Sequence, residues 1–169
     1  AASDVYKRQA IHPGKMLDFM GNEFAQLREF DESREQDWMV LKYPNHDDFH
    51  RYRRALNEAY LANEAFWSRE YDPEAFRWLD CAHPELDACA IWREGHDGAV
   101  LAAFNFGDTE LKEYELTLPR AGRLTPILDT DWQCFGGQTE KPKRLVGKAC
   151  GGELKLTLAP FSGQLFKLV

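Results

Sequence analysis

The chain has 169 residues, 44% of them hydrophobic and 13% aromatic, with 21 Lys and Arg against 28 Asp and Glu for a formal net charge of −7. That apolar content offsets chain entropy and excludes disorder. The acidic balance repels a phosphate backbone and excludes nucleic acid as a partner, since even Arg51, Arg53 and Arg54 follow Asp47 and Asp48.

In chain order, "HPGKMLDFMGNEFAQ" (12–26) comes first. Its apolar run, residues 16–20, halts at Gly21-Asn22-Glu23 and predicts a strand that hands polar groups to a loop. The acidic loop "REFDESREQDW" (28–38) follows. Asn45 is the expected N-cap of a long helix, with Asp47 and Asp48 in its first turn, where carboxylates suit the positive end of the dipole. Phe49, Tyr52, Leu56, Ala59, Tyr60 and Phe66 recur at spacings of three and four and predict one buried face, running to about Trp67.

From about Phe76 the pattern is all-β. "ACAIWRE" and "AVLAAFNF" flank "GHDG", a hairpin signal. "YELTL" and "ELKLTL" alternate, the latter after the turn pair Gly151-Gly152, and "GQLFKLV" closes the chain. Pro126 suits an edge strand or a bulge. Short strands at near-regular spacing predict an antiparallel sandwich. A lone strand and helix cannot bury themselves, so the leading part is expected to be the last β/α unit of something larger.

No stretch approaches the roughly 20 apolar residues of a membrane span, and no charged start followed by an apolar core marks a secretory leader. Cys81, Cys89, Cys134 and Cys150 form no C-x-x-C pair, so free thiols in a cytoplasmic protein are expected, with no metal site and no cofactor. His46 and His50 have the i, i+4 spacing of metal ligands but lack a third, so capping or solvent contact is the expected role. Trp78, Trp92 and Trp132 read as core packing, with an exposed stacking platform open for Trp132.

"HPGKMLDFMGNEFAQLREF" (12–30), "DW" (37–38), "YPNHDDFHRYRRALNEAY" (43–60) and "YDPEAFRWLDC" (71–81) resemble the glycogen (1,4-α-glucan) branching enzymes of the α-amylase superfamily. "LAAFNFGD" (101–108) and "GRLTPILDTDWQCFGG" (122–137) resemble their C-terminal domain. The resemblance departs at Ala25, where members usually carry Gly, and at Phe30, where they usually carry Trp. It implies an α/β plus all-β fold. Residues 10–72 would be the last β/α unit of a (β/α)8 barrel and residues 73–169 a C-terminal antiparallel β-sandwich.

Residues 1–9, "AASDVYKRQ", match nothing in the family, interrupt the helix expected there, and read as foreign. Active sites of such barrels lie at the C-terminal ends of the strands. The resemblance therefore implies a rim of Asn22, Glu23, Gln26 and Trp38 facing an α-glucan, although for Trp38 core packing remains open. The family's retaining transfer needs paired carboxylates. They lie upstream of the matching segment, so no residue here is expected to be catalytic.

The chain is thus expected to be an inactive C-terminal piece whose partners are an α-glucan and the preceding barrel of the same polypeptide. A stand-alone glucan-binding β module and a related debranching or trehalose-forming enzyme are the alternatives. Residues 16–20 and the helix face of Phe49, Tyr52 and Leu56 are expected to be exposed when the barrel is absent.

Overall fold

The computed structural model describes residues 2–143, 148–150 and 152–169. Ala1 of the N-terminal segment and Gly151 of the expected 151–152 turn lie outside the described residues, as does the side chain of Cys150. The first element is helix α1 (Ala2–Ile11), followed by an irregular stretch with short 3-10 turns and then helix α2 (Pro44–Ala62). Eight strands complete the fold: β1 (Phe76–Asp80), β2 (Ala88–Glu94), β3 (Ala99–Asn105), β4 (Leu111–Thr117), β5 (Gly122–Asp129), β6 (Lys148–Cys150), β7 (Glu153–Leu158) and β8 (Ser162–Leu168).

The strands form two antiparallel sheets. One has six strands in the order β1-β2-β3-β8-β5-β6; the other is the β4-β7 ribbon. The large sheet is covered on both faces, and strand periodicity decides which side chain goes where. From β3, Val100, Ala102 and Phe104 join Ile91, Leu128 and Leu165 under the helices. Leu101 and Ala103, with Trp92 of β2, meet Tyr114, Leu116, Leu156 and Leu158 of the ribbon. Every residue of β3 is therefore buried. This is why "AVLAAFN" reads as a continuous apolar run instead of an alternation.

The β expectations hold for the strands read from 76 onward, except that Trp78, expected in the core, is 40% accessible on the outer strand β1. Pro126 sits where the β5–β8 register shifts, between Pro126 and Leu128, at a bulge that tolerates a residue without an N–H. β6, three residues long, carries too little pattern to be read.

Several expectations for the leading part need correction. Residues 16–20 form no strand. A strand needs a hydrogen-bonded neighbour, and the segment has no ladder partner among the described residues. Helix α2 is capped by Tyr43 with Pro44 in its first turn, not by Asn45, because the locked φ of Pro fits the first helical position. It ends at Ala62, where Asn63 turns extended, and Phe66 is buried from a separate 3-10 turn instead.

The helix face is also not exposed: Tyr52 is 1% and Leu56 0% accessible, both packed on the β-sheet. Residues 16–20 do carry the exposed apolar flank, with Leu17 at 78%. Arg93 of β2 ties the layers together. Its buried guanidinium donates to the Ile11 carbonyl at 3.1 Å and the Phe66 carbonyl at 3.0 Å. Burial draws its pKa down, and Glu70 opposes that.

The interruption expected at residues 1–9 is absent among the described residues: residues 2–11 run as one helix, whose Lys7 donates to the Gly163 carbonyl and whose Ala10 and Ile11 enter the core, while Arg8 and Gln9 stay exposed.

Candidate functional site

The loop between α1 and α2 is built around one 3-10 turn, Asn22–Phe24. Gly21 enters it at φ 90° and Ala25 leaves it at φ 54°, ψ 50°. A Cβ on Gly21 would stand 2.8 Å from the Gln26 Cβ, so the residue before the turn must be glycine for both shape and space. Ala25 holds a left-handed conformation that costs an L-residue about 1 kcal/mol or more. That explains physically the glycine usual at this place in the resembling family.

Phe24 is fully buried and is the anchor of the turn. Its ring lies 4.6 Å from the Trp38 ring, at an interplanar angle of 43°. Trp38 is 45% accessible. It is neither core nor free: one side rests on Phe24 and the rest faces solvent. Two histidines brace the turn from α2. His46 Nδ1 lies 2.8 Å from the Phe24 carbonyl, and His50 Nδ1 lies 3.1 Å from the Glu23 carbonyl. A carbonyl only accepts, so both rings carry their proton on Nδ1. The i, i+4 spacing aims two donors at successive carbonyls of one turn, and spacing alone does not tell that from a metal motif. Among the described residues no group of three or more His, Cys, Asp or Glu is placed to hold a metal ion.

The polar residues expected at the rim fall into two sets. Asn22 lines an open cleft of about 650 Å³ together with Arg8, His12, Lys15, Leu17 and Phe19. Glu23 turns back on its own loop, its Oε2 accepting the Gly21 N–H at 2.8 Å. Gln26 bridges toward Trp38: its Oε1 accepts the Asp37 N–H at 2.9 Å and its Nε2 donates to the Arg28 carbonyl at 3.0 Å. Gln26 is thus tied to the residue before Trp38, while Asn22 and Glu23 belong to the turn whose Phe24 the Trp38 ring meets.

Sequence reading missed the ion pair that closes this loop. Arg28 forks onto Asp37, Nε to Oδ2 at 3.2 Å and Nη2 to Oδ1 at 3.1 Å. The hydrogen bond from Arg28 holds the Asp37 carboxyl below the usual carboxylate range and raises the guanidinium in return. The signal was present as opposite charges flanking an acidic loop, but nine residues apart it matches no local rule.

Trp132 is no surface platform. It is 3% accessible, stacks on Phe135 at 6.3 Å, and is capped by Lys141 at 5.0 Å. The loop it begins packs against α2, where Phe135 meets Tyr52 at 5.7 Å.

A six-stranded antiparallel sheet closed on one face by a ribbon and on the other by helices defines an all-β domain. Residues 78–169 match the family described as "Alpha amylase, C-terminal all-beta domain", and the chain belongs to that family. It is similar to the 1,4-alpha-glucan branching enzyme GlgB of Thiobacillus denitrificans, 33% identical over 171 residues, covering 96% of this chain and 23% of that protein. The proteins of the same name from Mycobacterium bovis and Thermobifida fusca are 40% and 41% identical over 76% and 75% of this chain. The chain spans less than a quarter of the length of these relatives, at 23%, 18% and 17%.

Proposed function

We propose that this chain is the C-terminal part of a 1,4-α-glucan branching enzyme. In that enzyme α2 and the loop before it would close a (β/α)8 barrel, and the two sheets would form the accessory domain behind it. One observation carries the reading: the family match begins at residue 78, yet the similarity to the Thiobacillus protein covers 96% of this chain. Likeness to a branching enzyme thus extends through the turn and helix that precede the β domain, where an unrelated carrier would differ.

In this reading a carboxylate nucleophile and an acid, both upstream, cleave an α-1,4 bond and pass the chain to a 6-hydroxyl with retention. The residues present here bind and orient. Trp38 offers its exposed side to a sugar ring; Asn22, Glu23 and Gln26 offer hydrogen bonds to sugar hydroxyls at the barrel rim. Residues 16–20 have no ladder partner among the described residues; in this reading the neighbouring strands belong to the rest of the barrel, and the apolar flank faces it. The enzyme works in the cytoplasm.

Iodine-stained amylose tests the proposal. The chain alone is expected to leave the stain unchanged. The reading frame extended upstream of Ala10, expected to carry the two carboxylates, should lower it by removing long linear chains. A stain unchanged by the extended protein, with this chain retained on a glucan column, would overturn the enzyme reading in favour of a glucan-binding module.

A further inference from the structure

The β1–β2 ladder ends at the pair Asp80–Ala90, so Cys81 follows its last residue on one chain segment and Cys89 precedes it on the other. Carrying that register one residue further would set Cys81 opposite Cys89. Opposed residues of an antiparallel pair have Cα atoms about 4.5–5.5 Å apart, within the roughly 4.4–6.8 Å that a disulfide bridges.

The backbone at this point is held from both sides. The Asp80 carboxylate accepts the Ala82 N–H at 3.2 Å and the Tyr114 hydroxyl at 2.6 Å. Cys81 lies near enough to act electrostatically on the Cys89 thiol, and both act on the Tyr114 hydroxyl. Both are free thiols in the structure, Cys81 exposed and Cys89 buried. Burial pushes the Cys89 thiol up to about 11, and Arg8 opposes that rise.

We infer that Cys81 and Cys89 form a dithiol–disulfide couple that low-molecular-weight disulfides such as oxidised glutathione close, with Cys81 as the entry thiol and Cys89 as the resolving thiol. The Cys81 thiolate attacks one sulfur of glutathione disulfide, forming a mixed disulfide and expelling one glutathione thiolate. The Cys89 thiol then loses its proton to solvent and attacks the Cys81 sulfur, and the second glutathione thiolate leaves. In sum, two cysteine thiols are oxidised to one disulfide and one glutathione disulfide is reduced to two thiols. The bond fastens β1, an outer strand whose ladder partner is β2, to the body of the sheet.

The test incubates the full 169-residue chain with oxidised glutathione at pH 8, blocks free thiols by alkylation and maps peptides without reduction. Expected are a peptide pair linked through Cys81 and Cys89, loss of two hydrogens from the intact mass, and a higher melting temperature that falls back on reduction. Cys89→Ser should stop at a glutathione adduct on Cys81, with Cys89→Ala as the variant that keeps the buried site apolar; Cys81→Ser should take up no glutathione at Cys89. Accumulation of the adduct in the unsubstituted protein, as in the Cys89 variants, overturns the proposal. So does a link through Cys134 or Cys150 in place of the expected pair.

Discussion

Arg53 of α2 grips Asp18 at 2.6 Å, Nη2 to Oδ2, across 35 residues of chain. Arg53 is 4% accessible, whereas Asp18 stays partly exposed. This pair sets the attitude of the irregular segment before the turn: with Asp18 drawn inward, Leu17 and Phe19 on either side are thrown outward. Removing one partner of a largely buried pair strands the other charge. Asp18→Asn is expected to cost about 1–3 kcal/mol, less than a fully buried pair because Asp18 keeps some water. A urea titration reads it, and an unshifted midpoint would show that the pair is ornamental.

Ala25 holds φ 54° at the exit of the 3-10 turn. Glycine usually lowers stability by loosening the unfolded chain, but here it relieves a left-handed residue of about 1–2 kcal/mol of strain. Ala25→Gly is therefore expected to be neutral or to stabilise by up to about 1 kcal/mol, against the ordinary sign. Thermal unfolding of the two proteins side by side decides it.

Leu56 is fully buried between α2 and the sheet. Leu56→Ala should cost about 2–5 kcal/mol. It should also lower the helix and sheet signals in one transition, since the same cluster serves both. Two separated transitions in far-UV and near-UV circular dichroism would mean that the helix and the sheet are independent.

Tyr114 ties the ribbon to the outer strand of the large sheet through its bond to Asp80 at 2.6 Å. Burial pushes its pKa far up, and the bond to Asp80 adds to the rise. In the unfolded chain this tyrosine ionises near its ordinary value of about 10. Above that pH the unfolded state sheds a proton that the folded state keeps, so stability is lost as pH rises. Tyr114→Phe should remove this alkaline slope and cost about 0.5–1.5 kcal/mol at neutral pH for the lost bond. Stability curves at pH 7 and above pH 10 would expose any failure as an unchanged slope.

These sites show what the sequence made legible. Alternation in β4 and β7, such as Tyr114, Leu116, Leu156 and Leu158, announced two strands with one buried face each, and the structure buries those residues; that the two pair into a ribbon was not legible. The 3.6-residue spacing of Tyr52 and Leu56 announced a buried helical face as well. It could not say what buries it, because periodicity reports that a face is apolar and not which element lies opposite. The strand expected at residues 16–20 failed for a related reason: composition supplies the propensity, but a strand exists only with a neighbour to bond. At the candidate site the polar turn was readable residue by residue. The brace of His46 and His50, the Phe24–Trp38 contact and the Arg28–Asp37 lock were not, since each depends on the chain returning to itself from 9 to 27 residues away.

The large sheet presents its helix-side face to Tyr52, Leu56, Ala65 and Phe66, all of which precede residue 78. The segment that is recognisable as a family unit is therefore smaller than the segment that buries its own core. Recombination cutting at that recognisable boundary would strip a greasy wall from the sheet and leave a greasy helix behind. A lineage that acquired this domain by gene fusion had to inherit the helix with it, or already possess one of the same shape.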